Sequence, residues 1–365
     1  MTLSVLSLIF LLIGSGYSSD WELFRGNPLQ NGFSKAKLPE KLELKWKYST
    51  KDSIEGSVTI AEGMVYAGSF DQHLYALNLQ DGTLKWKVKL GPIKSSPVVK
   101  KDRLYVGDTD GNFFCVNRAD GKMLWKFQTQ GEITGGANFY KESILIGSHD
   151  CTLYCLDTNG KKQWEFKTEG PVNGSPAIVD GKTFVAGCDS NLHIIDIKEG
   201  KELATVDLGG QAGATAAIDG KFLYVGTMNN EVLAIDLDKK EILWRFSPKQ
   251  RALPFYASAA IADNYIVTGS RDKRVYALDR KTGEVKWNFL TEGKIDSSPV
   301  INGKRVFVGS FDRNFYELEI DTGKVIQTRE LDGAILASPA IADGNVIIAT
   351  EKGTIYTFGD SNKMK

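Results

Sequence analysis

Six of the seven tryptophans keep one beat: Trp46, Trp86, Trp125, Trp164, Trp244 and Trp287, at intervals of 40, 39, 39, 80 and 43 residues. The interval of 80 is a doubled beat with Ala204 at the empty place, and one further step reaches Gln327. A period near forty over most of a chain marks a stacked or radial array, in which each unit buries its apolar face only against its neighbours. The repeat overrides length, since 365 residues would otherwise suggest two or three domains.

The best copy of the unit reads Ser297-Ser298-Pro299-Val300, then Val306 to Ser310, Asp312, Phe315 to Leu318 and Asp321-Thr322-Gly323. Other copies begin at Gly56, Ser95, Gly135, Gly174, Ala214, Ala257 and Ala337. Each holds three or four short apolar runs alternating with period two, parted by Gly, Asp and Asn, and none has a helical period. Four antiparallel strands per forty residues make a propeller blade. The last copy stops near Phe358, before its fourth strand, while the first Trp-bearing strand, 42–48, precedes the first copy. Each completes the other. The expected fold is an all-β, eight-bladed β-propeller of four-stranded antiparallel blades, closed by the N-terminal strand, which removes an open sheet edge.

The expected division is a signal peptide at 1–18, an N-terminal arm at 19–41, the propeller at 42–358 and a C-terminal tail at 359–365. Leu3 to Ile13 is apolar but short for a bilayer span, and Gly16 and Ser18 are small enough for cleavage. A retained anchor is the competing reading, because no Lys or Arg precedes the run. The mature chain is expected to be exported, in the periplasm or secreted, with no integral membrane span. Its 45 basic and 45 acidic residues cancel, so nothing electrostatic argues for nucleic acid as a partner. Cys115, Cys151, Cys155 and Cys188 are too few for a disulfide framework in this length.

What the copies share reads as structural. Asp71, Asp110, Asp150, Asp189, Asn229, Asp272 and Asp312, with Lys352 at the eighth place, fall in one turn, where Asp and Asn bond their own backbone two residues on. Ser57, Ser96, Ser175, Thr215, Ser258, Ser298 and Ser338, with Gly136 as the exception, sit where innermost strands crowd the axis and only small residues fit. Cys115 and Cys155 share a position with Ala76, Ala234 and Ala277, so they read as small buried residues. No histidine has a serine partner in a nucleophile motif.

What the copies do not share marks the candidate sites. The residue before each small pair differs from blade to blade: Glu55, Lys94, Thr134, Asn173, Gly213, Tyr256, Asp296 and Leu336. These should ring one mouth of the channel, held by apolar anchors one place earlier (Ile54, Ile93, Ile133, Val172, Ala212, Phe255, Ile295, Ile335). A rigid ring of varied side chains suits a ligand or peptide. A second candidate is the longest connection, 247–255, where Arg251 and Leu253 would join Arg271, Lys273, Arg274 and Arg313 in a basic patch over blades six and seven. A third is His149 with Cys151 in one turn and Cys188 in the matching turn of the next blade, as zinc ligands or a Cys151–Cys188 disulfide.

The turns Asp279 to Trp287, Asp157 with Gly160 and Trp164, and Asp81-Gly82 with Trp86 resemble those of the PQQ-like repeat propellers. That family includes the quinoprotein alcohol dehydrogenases and the outer-membrane assembly factor BamB. The resemblance covers about 42–358 and implies that each tryptophan docks its blade onto the next, leaving the Ala204 and Gln327 contacts in question. The fold hosts enzymes and scaffolds alike. A dehydrogenase would need PQQ with calcium, a catalytic aspartate and long insertions. Here the connections are short, no adjacent-cysteine pair occurs, and no position receives those catalytic residues. The expectation is a BamB-like, non-enzymatic binding scaffold without a cofactor or catalytic residue, a monomer whose partner is a protein or peptide of the cell envelope. A PQQ-binding quinoprotein relative is the alternative, and a carbohydrate-binding propeller the second alternative. The lipid-bearing cysteine expected of a BamB is missing near residue 18.

Overall fold

Each copy of the repeat folds into four short strands. In blade 1 these are Thr59–Ala61, Met64–Gly68, His73–Asn78 and Leu84–Lys89. The inner strands are buried on both faces because neighbouring blades cover them, while the outermost alternates between partly covered and exposed residues. The computed structural model describes residues 20–360, so the signal peptide expected at 1–18 and the end of the tail lie outside the described residues. Seven four-stranded antiparallel blades follow in chain order between 59 and 330, and the seventh gains a fifth, parallel strand where Phe33–Ser34 of the arm pairs with Val300–Asn302. The eighth joins Ala340–Ala342, Asn345–Ala349 and Thr354–Gly359 to the N-terminal strand Glu43–Ser49, with Trp46 opposite Thr357. The eight blades and their closure are those expected from the repeat.

Every outermost strand carries a register shift just before the tryptophan position, as between Ala76 and Leu77 in blade 1. A bulge kinks the strand and turns the next side chain out of its regular direction. The indole therefore reaches the following blade. Nε1 of Trp46, Trp86, Trp125, Trp164, Trp244 and Trp287 donates to the carbonyls of Leu79, Arg118, Thr158, Ile197, Arg280 and Ile320, at 2.6–3.2 Å. Beneath each ring lies a glycine at positive φ: a Cβ on Gly82 would stand 2.6 Å from the Trp46 ring, and one on Gly323 2.5 Å from Trp287. Cys115 and Cys155 face Trp125 and Trp164 across the sheet and are fully buried, which is why that position must be small.

The two seams without tryptophan are rebuilt differently. Gln327 faces blade 8, which has no outer turn to receive an indole, because its fourth strand comes from the N-terminus. Buried Glu317 there takes Arg305 at 2.7 Å and Arg329 at 3.3 Å, and the two arginines also donate to the carbonyls of Pro39 and Leu42. At the seam of blades 4 and 5, Ala204 lies opposite Ile194, and the turn glycine is replaced by Lys240, at φ 60.

At the axis the hydroxyls form a chain. Ser57, Ser175, Thr215, Ser258, Ser298 and Ser338 donate their backbone N–H to the hydroxyl of the next blade (Ser96, Thr215, Ser258, Ser298, Ser338 and Ser57 respectively), as Gly136 does to Ser175, at 2.8–3.0 Å. A buried amide costs free energy unless paired, so the hydroxyls secure the narrowest part of the ring. Gly136 supplies none, and Phe24 of the arm packs there instead.

The arm runs round the other end of the channel. Carbonyls of Trp21, Glu22, Pro28, Leu29, Asn31 and Gly32 accept, in that order, from the innermost-strand amides of Ile60, Val99, Ile178, Ile218, Ile261 and Ile301. Blade 3 is passed over, its Phe139 amide donating to Asn138 Oδ1. Arg25, 1% exposed, reaches the carbonyls of Ala259 and Ser298, and burial pulls its basicity down. The arm makes the channel a blind cup.

Candidate functional site

The open end of that cup is built by two sets of loops. In each blade the connection to the innermost strand is pinned by its apolar anchor: the amides of Ile54, Ile93, Ile133, Val172, Ala212, Phe255, Ile295 and Ile335 all donate to a carbonyl of the previous blade. All eight are buried. With the backbone fixed on both sides, the next side chain must face the axis. The eight varied positions Glu55, Lys94, Thr134, Asn173, Gly213, Tyr256, Asp296 and Leu336 all line one funnel of about 670 Å³, with the axial hydroxyls and Phe24 at its base.

The second set is the turn after each second strand, which the shared aspartate locks in five blades, while Asp108, two residues before Asp110, locks it in blade 2. Asp71 accepts from the amide of His73 at 3.1 Å, from the Tyr75 hydroxyl at 2.6 Å and from the amide of Lys51 in the preceding connection at 3.0 Å. Asp272 and Asp312 hold Tyr276 and Tyr316 the same way, and in blade 4 His193 takes the tyrosine's place against Asp189. Asp71, Asp150, Asp189, Asp272 and Asp312 are therefore structural. The residue before that turn position (Asn229 in blade 5, Lys352 in blade 8) varies as widely as the mouth ring: Phe70, Thr109, His149, Cys188, Met228, Arg271, Phe311 and Glu351. Arg271, Phe311 and Glu351 reach the funnel, as does Lys294. Sequence reading places Phe24 only in an arm crossing one face of the ring and passes over Lys294, Phe311 and Glu351, although variability just before the shared turn position is the available signal for the last two.

The funnel is lopsided. On blades 6 and 7, Arg271 forks onto Asp296 at 2.8 and 2.9 Å and lies 3.8 Å over the Tyr256 ring. Lys294 stands 4.0 Å over Phe311 and 3.6 Å from Asp296. Carboxylate pairing keeps Arg271 firmly charged, raising it above its ordinary value. The opposite wall is small and neutral: Thr134, Gly135, Asn173, Gly174 and Gly213. Between them Lys94 meets Glu55 at 3.2 Å. Arginine and aromatic rings held rigid on one side, with open room on the other, are the parts of a protein-recognition hot spot.

The basic patch expected over blades 6 and 7 is divided by the structure. Arg271 turns into the funnel because Asp296 draws it there. Arg274 bonds Asn288 at 2.7 Å and lines a side groove with Lys249 and Gln250. Arg313 pairs with Glu330, and Lys273 serves the turn through its backbone. Arg251 is exposed, while Leu253 is half-buried with its carbonyl taken by Ser270. The third constellation also separates. His149 Nε2 lies 3.0 Å from the Thr134 hydroxyl, Cys188 Sγ takes Asn173 Nδ2, and all four cysteines are free. Burial pulls the His149 imidazole down and pushes the Cys188 thiol up. Among the described residues, no group of three or more His, Cys, Asp or Glu side chains is placed to hold a metal ion. No described helix is long and apolar enough to cross a membrane.

The family described as "Outer membrane protein assembly factor BamB" matches this chain at residues 40–129, 114–203, 188–296 and 271–362. A protein of that name from Salmonella typhimurium is 44% identical over 55 residues, which are 15% of this chain and 14% of the relative's length. Among solved structures, BamB from Moraxella catarrhalis superimposes with a TM-score of 0.76 at 17% identity, covering 88% of this chain and 98% of that one. Quinohemoprotein alcohol dehydrogenase from Comamonas testosteroni reaches 0.82 at 13% identity, over 94% of this chain and 81% of the enzyme. At these identities both superpositions speak for the fold alone.

Proposed function

This chain belongs to the BamB family of PQQ-like repeat propellers, and from that premise we propose that it is an exported, non-enzymatic scaffold whose funnel holds a protein or peptide partner in the cell envelope. The observation that carries the reading is the funnel itself: about 670 Å³, blind at its base, with variation confined to an otherwise repetitive frame. Three cations (Lys94, Arg271, Lys294) and three carboxylates (Glu55, Asp296, Glu351) line it. That balance suits a polypeptide, with its own mixed charges, better than a polyanion. Export rests on the leader-like residues 1–18 and on the family's name.

A PQQ-dependent enzyme is the competing reading, drawn from the fold. The funnel's residues do not fit that cofactor. A calcium site needs several oxygens at close range, but Asp296 is committed to Arg271 and Lys294, Glu55 to Lys94, and Glu351 to the amide of Ala334 at 3.2 Å. The Tyr256 and Phe311 faces are already covered by cations. No cofactor chemistry is therefore assigned.

Two measurements test the proposal. Calorimetry with PQQ and calcium should show no saturable binding, and one-to-one binding at micromolar strength would overturn the scaffold reading. A photo-crosslinking residue at Leu336 should trap an envelope polypeptide in cells, and Arg271→Glu should abolish the adduct. An adduct indifferent to Arg271, or none, would place partner capture elsewhere.

A further inference from the structure

Where the repeat lacks its tryptophan, the ring has a notch. Between blades 4 and 5 lies a cavity of about 340 Å³ walled by Val179, Phe184, Ile194 and Leu237, with Leu203, 49% exposed, at its lip. Its place in the template is that of the indoles in the six tryptophan seams. The carbonyl of Leu237 stands where those of Leu79, Arg118, Thr158, Ile197, Arg280 and Ile320 each accept an indole Nε1–H. Ile194 replaces the small residue that faces a tryptophan across the sheet, yet it leaves the space incompletely filled.

We propose that this notch is a docking pocket for one tryptophan side chain presented by a partner protein. The same chain accommodates that group in this setting six times over, with the same acceptor and comparable apolar walls. The cavity lies at the small end of the range for ligand sites, about 300–1,000 Å³, which suits one ring rather than a folded segment. Lys182, Lys221 and Lys240, with Asp180 and Asp238, line it beside the apolar walls, giving the apolar centre and charged rim typical of an anchor-residue pocket. Lys240 also explains why no internal residue fills the place. A Cβ at the equivalent glycines would lie 2.5–2.7 Å from the indole carbons, so an indole from position 204 would collide with Lys240. A ring arriving from solvent is not bound to that pose. It can lie beside the Lys240 stem with the ammonium over its face, as Lys294 lies over Phe311. The pocket is on the outer flank of the ring, built from other residues than the funnel, and does not depend on what the funnel holds.

The probe is N-acetyl-tryptophanamide, titrated into the isotope-labelled protein and followed through backbone amide shifts. Saturable shifts at Leu203, Lys221 and Lys240 are expected, with N-acetyl-leucinamide weaker by about tenfold or more. Ala204→Trp combined with Lys240→Gly should plug the notch and abolish the shifts. Leu203→Asp, at an exposed position that leaves the core intact, should weaken them should the double variant not fold. Absence of saturable shifts up to the solubility of the probe would overturn the proposal. So would equal binding of the leucine compound, or shifts that survive both variants.

Discussion

Asp71 ties its own turn and the Tyr75 hydroxyl of the strand that follows to the preceding connection, 20 residues back at Lys51. Burial pushes its carboxyl up, but the bonds from Tyr75, Lys51 and His73 outweigh burial and hold it below the ordinary value of 3.8. A carboxyl depressed by folding stabilises the native state above its unfolded pKa, and that contribution fades as pH falls through the folded value. Asp71→Asn should therefore cost about 1–3 kcal/mol at pH 7. Its disadvantage should stay level above pH ~5 and close as pH drops below ~4, by the same linkage. Urea unfolding of both proteins across that range reads the effect, and a gap independent of pH would mean the carboxylate charge contributes nothing. The same scale shows what local reading misses. Asp296 and Arg271 were both singled out from the sequence, but in different groups, because 25 residues and a blade boundary separate two side chains that bond at 2.8 Å.

At the scale of the blade, tryptophan and glycine form one device written in two places. The ring sits on a backbone that has no room for a Cβ, so each member requires the other. Ala204 and Lys240 are the pair in which both were exchanged. Restoring one alone should not help: Ala204→Trp is expected to be destabilising by about 1–3 kcal/mol, as an overpacked site. Lys240→Gly alone should change stability by less than about 1 kcal/mol, because relief of the left-handed backbone at φ 60 offsets the greater freedom of the unfolded chain. Together they should recover stability beyond the sum of the two, a coupling of at least about 1 kcal/mol in a double-mutant cycle. Simple additivity would show that the seam does not accept an indole. The beat of tryptophans made the blades legible, their number and their closure included, because burying an aromatic every forty residues leaves few alternatives. The absent tryptophan was visible too. That Lys240 was its counterpart was not, since the pairing spans 36 residues and depends on the positive φ of a turn glycine. The funnel was half legible for the same kind of reason: its mouth residues share one template position, whereas Lys294, Phe311 and Glu351 come from others. Phe24 comes from an arm with no repeat to compare.

For the molecule as a whole, the arm matters as much as any blade. Six innermost amides, spread over six of the eight blades, take their acceptors from residues 21–32. Deleting 20–34 would remove all six acceptors, at about 1–3 kcal/mol for each amide that the ring still keeps from water. Set against a total stability of about 5–15 kcal/mol for a folded domain, that loss is not survivable. The expected outcome is a chain without a cooperative thermal transition by circular dichroism. A sharp transition only a few degrees lower would show that water replaces the arm readily.

The pairing of Glu43–Ser49 with Thr354–Gly359 has one further consequence, in time rather than space. Strands joined by short turns can assemble as the chain emerges, but the eighth blade has its outer strand made first and its inner three made last. Trp46 can dock on Leu79 and Gly82 as soon as blade 1 is made, but the ladder edge of that first strand waits for Thr354–Gly359 while the finished sheets stand in an open arc. Closing the circle is a signal that every blade in between has arrived. A chain cut short anywhere before residue 354 leaves Glu43–Ser49 without its ladder partner, so the unfinished molecule differs from the finished one by a loose strand at each end of the arc.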